Sequence, residues 1–176
     1  MSFSKPQEIV SQFRLTPGLT VADFGAGSGA YALACARAVL PTGRVYAIDI
    51  QPELLARLAR EAGSLHLRNI EVIRGNLEEA GGSTLADASV DFIVIANLLF
   101  QTSAKYTLVH EAGRILKSGG RVVVVDWTDS FGGLGPKPDQ VLPPVVTKQI
   151  FTEAGFTLVK DFPAGDHHYG LMFSQT

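Results

Sequence analysis

The chain has 176 residues, 46% of them hydrophobic, which suffices for one domain with a continuous core and argues against two. Its 15 basic and 17 acidic residues give a formal charge of -2, and without a cationic excess a nucleic-acid partner is disfavoured. The longest apolar runs are far shorter than the roughly 20 residues of a membrane span, and a single cysteine with no signal-peptide pattern predicts a cytoplasmic protein.

Short β-rich runs alternate with longer segments of helical periodicity from Leu19 onward. This alternation is typical of βαβ units that build a largely parallel sheet. Because each strand is almost entirely apolar, we expect the strands to be buried on both faces. The pattern predicts strands at residues 20–24, 44–50, 70–75, 90–96 and 121–127, and helices near 6–13 and at 30–40, 52–61 and 103–116.

The helix at 103–116 has an amphipathic pattern, since its apolar residues recur at helical spacing and form one stripe. Gly119 and Gly120 are expected to end this helix and to turn the chain into the next strand. Four polar residues are expected to form the solvent-facing side of the helix: His110, Glu111, Arg114 and Lys117.

The C-terminal third begins with a segment rich in Gly, Pro, Asp and Ser, residues 128–144, which predicts a long loop. A helix at 145–154 follows, and then two strands at 156–162 and 167–174. The turn between these strands is too short for a parallel crossover, so they must be antiparallel neighbours.

A glycine-rich loop, Asp23-Phe-Gly-Ala-Gly-Ser-Gly29, joins the first strand directly to a helix. Glycines tolerate positive φ and let a ligand approach the backbone, so the loop predicts a nucleotide-sized cofactor. Gly25, Gly27 and Ala30 also fit the dinucleotide fingerprint of NAD-binding domains. Asp49, at the end of the second strand, can accept hydrogen bonds from the ribose hydroxyls of NAD or of S-adenosylmethionine. The loop and the acid together therefore do not distinguish these two cofactors.

Asp23 separates the two cofactors. A carboxylate just ahead of the loop would repel the pyrophosphate of NAD, whereas it can pair with the ammonium group of a methionine moiety. Asp23 therefore favours S-adenosylmethionine over NAD.

Several segments, in order, resemble the motifs of class I S-adenosylmethionine-dependent methyltransferases. The resemblance implies one α/β domain over 1–176, a Rossmann-like three-layer sandwich whose seven-stranded, mostly parallel sheet has the order 3-2-1-4-5-7-6 with strand 7 antiparallel. Residues 96–101 and 169–173 are most similar to the ubiquinone and menaquinone biosynthesis methyltransferase group. The segments that carry the resemblance are 21–29, 45–49, 75–78, 90–97 and 116–122.

The resemblance also implies where the cofactor binds. The backbone of the glycine loop passes under the methionine portion, Asp49 holds the ribose and Ile50 lies against adenine. Asn76, where the family often has Asp, can still accept a hydrogen bond from the adenine amino group, although a turn-forming role is the alternative. The cofactor-binding set is Asp23, Gly25, Ala26, Gly27, Gly29, Asp49, Ile50, Asn76, Leu77 and Asn97.

The methyl acceptor is expected at the carboxyl ends of the first and fourth strands, where ligands bind in open α/β sheets. Asn97 and Asp126 are the catalytic candidates there. Asp126 either orients the acceptor or takes its proton, or it is a cap or loop carboxylate. Trp127 either walls the pocket or packs in the core. Since methyl transfer depends mainly on proximity and orientation, a base is not obligatory.

The two adjacent histidines are not expected to bind a metal. His167 and His168 lie on a strand, so their side chains point to opposite faces and cannot ligate one ion together. His168 or Tyr169 could instead contact the substrate. Cys35 is interpreted as a small packing residue.

Little chain is left to cover the acceptor site. Either the N-terminal segment 1–18 and the loop 128–144 close it, or a second subunit does, which would make a homo-oligomer. The sequence predicts a methyltransferase with a small-molecule acceptor whose identity and reacting atom it does not give. The alternatives are an NAD(P)-dependent oxidoreductase and a catalytically silent module that binds S-adenosylmethionine.

Overall fold

The computed structural model describes residues 5–133 and 135–175, and these fold into alternating strands and helices. The bounds lie close to those predicted from the sequence. The helices are α1 (Pro6–Ser11), α2 (Ala30–Ala38), α3 (Pro52–Ser64), α4 (Lys105–Ile115) and α5 (Pro144–Glu153), and the strands are β1 (Thr20–Phe24), β2 (Arg44–Asp49), β3 (Ile70–Arg74), β4 (Val90–Ala96), β5 (Leu116–Trp127), β6 (Phe156–Pro163) and β7 (His168–Gln175).

The strands form one seven-stranded sheet in the order β3-β2-β1-β4-β5-β7-β6, which confirms the predicted topology. β1 to β5 pair in parallel, and β7 is antiparallel to both β5 and β6. The order reverses at β1, whose neighbours are β2 and β4. The carboxyl ends of these three strands therefore flank the crevice where an open α/β sheet binds its ligand.

Helices cover both faces of the sheet, which explains why the central strands are apolar throughout. Successive residues of β1 alternate between two cores: Val21 packs on the side of α1, α2 and α3, and Ala22 packs on the side of α4 and α5. The edge strand β3 differs, because its residues are only partly buried or exposed. The expectation that every strand is buried on both faces was therefore wrong for β3, which has a neighbour on one side only.

The boundary between α4 and β5 differs from the prediction. The helix ends at Ile115, and β5 already begins at Leu116, which is buried and pairs with Val90 across an irregularity in the ladder. Gly119 and Gly120 therefore lie within the entry of the strand and do not end the helix. The pairing of Leu116, which the local pattern does not encode, causes this difference.

Glu111 was also predicted wrongly, because it is buried and does not face solvent. Its carboxylate accepts hydrogen bonds from the backbone and hydroxyl of Ser83 and from Arg114. Burial alone would raise the pKa of Glu111, but the hydrogen bonds from Arg114 and Ser83 outweigh it and lower the pKa to about 2. The network ties α4 to the loop that follows β3.

Within residues 5–133 and 135–175, no helix is long and apolar enough to cross a bilayer.

Candidate functional site

The loop after β1 has a backbone that requires its glycines. Gly25, Gly27 and Gly29 all have positive φ, at 68°, 52° and 82°. A Cβ on Gly25 would also lie 2.9 Å from the side chain of Leu98, closer than real Cβ contacts. The amides of Gly25 and Ala26 both donate to the Ile48 carbonyl at 2.9 Å, so the loop is anchored to β2 before α2 begins.

Asp23, the penultimate residue of β1, has a carboxylate that the fold satisfies only in part, through a hydrogen bond from the Ala32 backbone. It is 2% exposed, and its Oδ2 atom is buried without a hydrogen-bond partner among the described residues. Burial, with a smaller contribution from the charge of Asp49, raises the pKa of Asp23 to about 7. A buried carboxylate is costly unless a cation or donor pairs with it, so this position suits a positively charged ligand group.

Asp49 lies at the end of β2, and its side chain supports the glycine loop. Its Oδ2 accepts a hydrogen bond from the Gly27 amide at 2.8 Å, and its Oδ1 accepts one from the Gln51 amide at 2.9 Å. Each carboxylate oxygen has a second lone pair, so both can still accept a ligand hydroxyl. Asp49 therefore both shapes the loop and borders the cleft beside it.

A cavity of about 260 Å³ lies between the ends of β2 and β3 and the turn after β4. Ile50, which is 54% exposed, and the buried Leu77 contribute apolar surface to it. Asn76 lies at its wall, but its amide oxygen already accepts a hydrogen bond from the Glu78 amide at 3.2 Å. The turn-forming role considered for Asn76 is therefore present, and one lone pair of its oxygen is left for a ligand.

A second cavity, of about 330 Å³, lies over the ends of β1 and β4. Asp23, Ala26 and Asn97 line it, and Pro6 of α1 borders it. It shares Gly25, Gly27 and Gln101 with the first cavity. The two cavities therefore form one cleft, and most of the predicted cofactor-binding residues line it.

Asn97 follows β4 in a left-handed conformation, with φ of 54°. Its amide donates to the Val125 carbonyl at 2.8 Å, and its own carbonyl accepts from the Gln101 side chain at 2.8 Å. Its side-chain Oδ1 lies 3.0 Å from Nε2 of His168. The sequence did not predict this contact, because strands β4 and β7 are separated by β5.

Asp126 lies at the end of β5 and is 1% exposed. It is not among the described residues that line either cavity. Its carboxylate accepts hydrogen bonds from the backbone amides of Phe100, at 3.2 Å, and Trp127, at 2.8 Å. Burial raises its pKa to about 6, although these hydrogen bonds oppose the rise. The geometry corresponds to the alternative in which Asp126 is a loop carboxylate, since it accepts a hydrogen bond from the Phe100 amide and so holds the turn after β4.

Residues of the turn after β4 complete the cleft, and sequence reasoning missed them. Leu98 and Gln101 line it, and the carboxylate of Glu78 accepts hydrogen bonds from the Thr102 hydroxyl and the Ser103 amide. The hydrogen bonds from Thr102 and Ser103 lower the pKa of Glu78, which keeps it ionised. Glu78 belongs to segment 75–78, one of those that carry the family resemblance. Only the folded chain shows that its hydrogen bonds join the loop after β3 to the turn after β4.

The loop 128–144 packs on the start of β7. The Thr128 amide donates to the His167 carbonyl at 2.9 Å, and the ring of Phe131 stacks on His167 with centroids 4.0 Å apart. Tyr169 donates to the Leu142 carbonyl at 3.1 Å near the other end of the loop. Leu134 of this loop and residues 1–4 of the N-terminal segment lie outside the described residues.

The two histidines contact different parts of the protein, but the prediction that both lie on a strand was wrong for His167, which is in the turn before β7, whereas His168 is the first residue of the strand. Nδ1 of His167 lies 2.9 Å from the Asp129 carboxylate, whereas His168 contacts Asn97 and lies beside Trp127 with ring centroids 4.2 Å apart. Among the described residues, no group of three or more metal-ligating side chains is found. Cys35 is buried in α2, and burial raises the pKa of its thiol.

Comparison with known proteins shows the family of the chain. Residues 22–124, more than half of the chain, match the family described as "Methyltransferase domain". The chain belongs to this family of class I S-adenosylmethionine-dependent methyltransferases.

Curated relatives confirm the resemblance to the quinone-biosynthesis group. The chain is 25% identical over 120 residues to the demethylmenaquinone methyltransferase of Oceanobacillus iheyensis, which covers 68% of the chain and 49% of the relative. It is 35% identical over 115 residues to a ubiquinone/menaquinone biosynthesis C-methyltransferase of Klebsiella pneumoniae, which covers 63% and 43%. The chain thus spans about half the length of the curated relatives it matches.

Solved structures confirm the fold over nearly the whole chain. A SAM-dependent methyltransferase from Aquifex aeolicus superposes with a TM-score of 0.88 at 27% identity, covering 97% of this chain and 89% of that one. The cyclase SpnF superposes with a TM-score of 0.79 at 16% identity, covering 96% and 79%, which shows a shared fold alone. One fold thus carries different reactions, so function must be argued from the site.

Proposed function

We propose that this protein binds S-adenosylmethionine in the cleft above β1, β2 and β4 and transfers its methyl group to a small-molecule acceptor by in-line displacement. The observation that carries the proposal is the buried, unpartnered Oδ2 of Asp23 in the cleft beside the glycine loop. An ammonium group would satisfy this atom, whereas the pyrophosphate of NAD would be repelled by it.

The residues of the cleft fit the parts of S-adenosylmethionine. Asp23 would hold the ammonium group, the backbone of Gly25, Ala26, Gly27 and Gly29 would lie under the methionine chain, and Asp49 would accept the ribose hydroxyls. The apolar surfaces of Ile50 and Leu77 suit the faces of adenine, and the amide oxygen of Asn76 can accept from its amino group. When bound, the cofactor supplies an electrophilic methyl group on a sulfonium.

The chain's own residues contribute binding, orientation and the exclusion of water. Asn97 lines the same cavity as Asp23, at the end of β4, and would border the reacting end of the cofactor there. Asp126 acts as a positioning residue, since its carboxylate holds the Phe100 amide and thereby the turn that carries Asn97. Orientation of this kind can supply about 7 to 11 kcal/mol of a reaction barrier, so the proposal needs no general base.

The cysteine content of the chain limits which classes of methyl acceptor it can hold. One relative, 32% identical over 116 residues that cover 64% of this chain and 34% of the relative, is an arsenite methyltransferase of Aquipseudomonas alcaligenes. Arsenite is thiophilic and is best held by thiolates, yet the chain has a single cysteine, Cys35, whose thiol is buried and whose pKa is raised. We therefore propose an organic acceptor that reacts through oxygen, nitrogen or carbon. The net charge of -2 argues against nucleic acid.

Titration calorimetry with S-adenosylmethionine, S-adenosylhomocysteine and NAD tests the proposal. We expect both sulfur compounds to bind, and NAD not to bind at comparable concentrations. Tight NAD binding without a response to either sulfur compound would support an oxidoreductase and overturn the proposal. Binding without release of S-adenosylhomocysteine in the presence of any acceptor would instead indicate a silent binding module.

Two further expectations from the sequence accompany this function. A single cysteine suits a reducing compartment, which supports a cytoplasmic location. If a second subunit covers the cleft, the protein is a homo-oligomer, and light scattering coupled to size-exclusion chromatography would show a mass near twice 18.8 kDa or above.

A further inference from the structure

The hydrogen bond between His168 and Asn97 determines which atoms of Asn97 face the cleft. Both backbone polar groups of Asn97 are engaged, with Val125 and with Gln101. Its side-chain Oδ1 is engaged by His168 at 3.0 Å. Of the polar groups of Asn97, only the amide nitrogen Nδ2, with two N–H donors, is left for the cavity that Asn97 lines.

The surroundings of His168 support this orientation over the flipped amide. Burial lowers the pKa of His168, so the ring is neutral near pH 7 and carries one N–H. With Oδ1 of Asn97 as its partner, that N–H must be on Nε2. In the flipped amide, Nδ2 would donate to Nε2 and the ring N–H would have to be on Nδ1, for which no hydrogen-bond acceptor is found among residues 5–133 and 135–175.

We propose that His168 is a positioning residue that fixes the Asn97 carboxamide with its two N–H donors toward the methyl acceptor. This inference rests on the proposed function, and it names the acceptor class: a molecule with a hydrogen-bond-accepting oxygen at or beside the reacting atom. A protonated amine offers no lone pair to these donors and would be rejected.

The other end of the same cavity leaves Asn97 free for the acceptor. Ser28 and Ala30 line the cavity at the start of α2, where backbone N–H groups and the helix dipole favour an anion. A methionine carboxylate suits that position, and its ammonium group suits Asp23. The donors of Asn97, which project from the end of the neighbouring strand β4, then remain for the second substrate.

Nitrogen-15 NMR of the histidine rings tests the orientation without any acceptor. The signal of His168 is identified by its loss in His168→Gln, and we expect the Nε2–H tautomer both in the free protein and with S-adenosylhomocysteine bound. The charged groups that act on this ring and could shift its titration are His167 and Asp129; Asp126 pairs with Tyr169 and so lies on the opposite face of the sheet. An Nδ1–H tautomer at neutral pH would overturn the proposal.

Steady-state kinetics test the positioning role of His168. A panel of phenols, carboxylic acids and amines is offered with S-adenosylmethionine, and release of S-adenosylhomocysteine is measured. We expect turnover only of oxygen-bearing compounds, a rise of about tenfold in acceptor KM for His168→Phe, and recovery in His168→Gln, whose amide can donate to Asn97. The exposed His110 gives the matched control, since His110→Phe should change neither constant.

The affinity for S-adenosylhomocysteine separates the competing outcomes. Affinity within about twofold of wild type in His168→Phe supports an acceptor-facing role. If affinity falls as much as turnover, Asn97 binds the methionine carboxylate and the proposal is wrong. If wild type does not bind S-adenosylhomocysteine at all, the proposed function fails, while the tautomer measurement still decides the orientation of Asn97.

Discussion

The substitution Asp23→Asn should stabilise the empty protein at neutral and higher pH. The carboxylate is buried, and its pKa is raised from an ordinary 3.8 to about 7 by burial. The folded state therefore binds its proton more tightly than the unfolded state does. Stability from this group is fully present below about pH 4 and is lost as the pH rises to about 7.

The size of the effect follows from the pKa. The difference between 3.8 and about 7 corresponds to about 4 kcal/mol, which is an upper limit for the loss on ionisation. The amide in Asp23→Asn does not ionise, although its NH₂ group replaces an unpartnered oxygen and costs about 1 to 3 kcal/mol at every pH. From pH 4 to pH 8, the free energy of unfolding of the variant should therefore rise by up to about 4 kcal/mol relative to wild type.

The same substitution should weaken cofactor binding, because the variant loses its attraction for the ammonium group. We expect the affinity for S-adenosylhomocysteine to fall about tenfold or more at pH 8. In wild type, affinity should also fall below pH 7, where the Asp23 carboxyl gains a proton, and this dependence should be absent in the variant. A substitution that raises stability but weakens binding is typical of a residue that serves function at a cost to stability.

Urea unfolding followed by circular dichroism between pH 4 and pH 8, with calorimetry of binding, measures both effects. Asp139→Asn is the control, since it is the same substitution at an exposed aspartate of the loop 128–144. A stability difference between Asp23→Asn and wild type that does not change with pH would refute the reasoning, because it would mean an ordinary pKa for the buried carboxyl.

Three further predictions follow from the contacts. Asp49→Ala should lower the affinity for S-adenosylhomocysteine about tenfold and also destabilise the protein by about 1 to 3 kcal/mol, because Asp49 holds the Gly27 and Gln51 amides; calorimetry and thermal unfolding measure the two effects. Glu111→Gln should destabilise the fold at pH 7 by about 2 to 4 kcal/mol. Since the folded pKa of Glu111 is about 2, wild type should lose this contribution as the pH falls from about 4.5 toward 2, which acid unfolding of wild type and variant would reveal. The loop 128–144 should gain hydrogen-exchange protection when cofactor and acceptor bind, and high protection already in the free protein would contradict its role as a lid.

Local signals in the sequence determined the sheet and the cofactor end of the cleft. Alternation of apolar strands with helical segments gives the parallel layers, and the short turn at 163–166 requires an antiparallel final pair. Glycines with positive φ, an acid ahead of them and Asp49 at the next strand end are all close along the chain to the elements that place them. Such features can be predicted from the sequence because each residue type is required by the conformation of its own backbone or by the ligand group that it contacts.

Only the tertiary structure decided the contacts between segments that are distant in sequence. Glu111 has a polar character that predicts exposure, yet Ser83 and Arg114 surround it. His168 reaches Asn97 across β5, although 71 residues separate them along the chain. The orphaned oxygen of Asp23 likewise results from burial by the whole fold. Burial and long-range hydrogen bonds depend on three-dimensional packing, which no local pattern specifies.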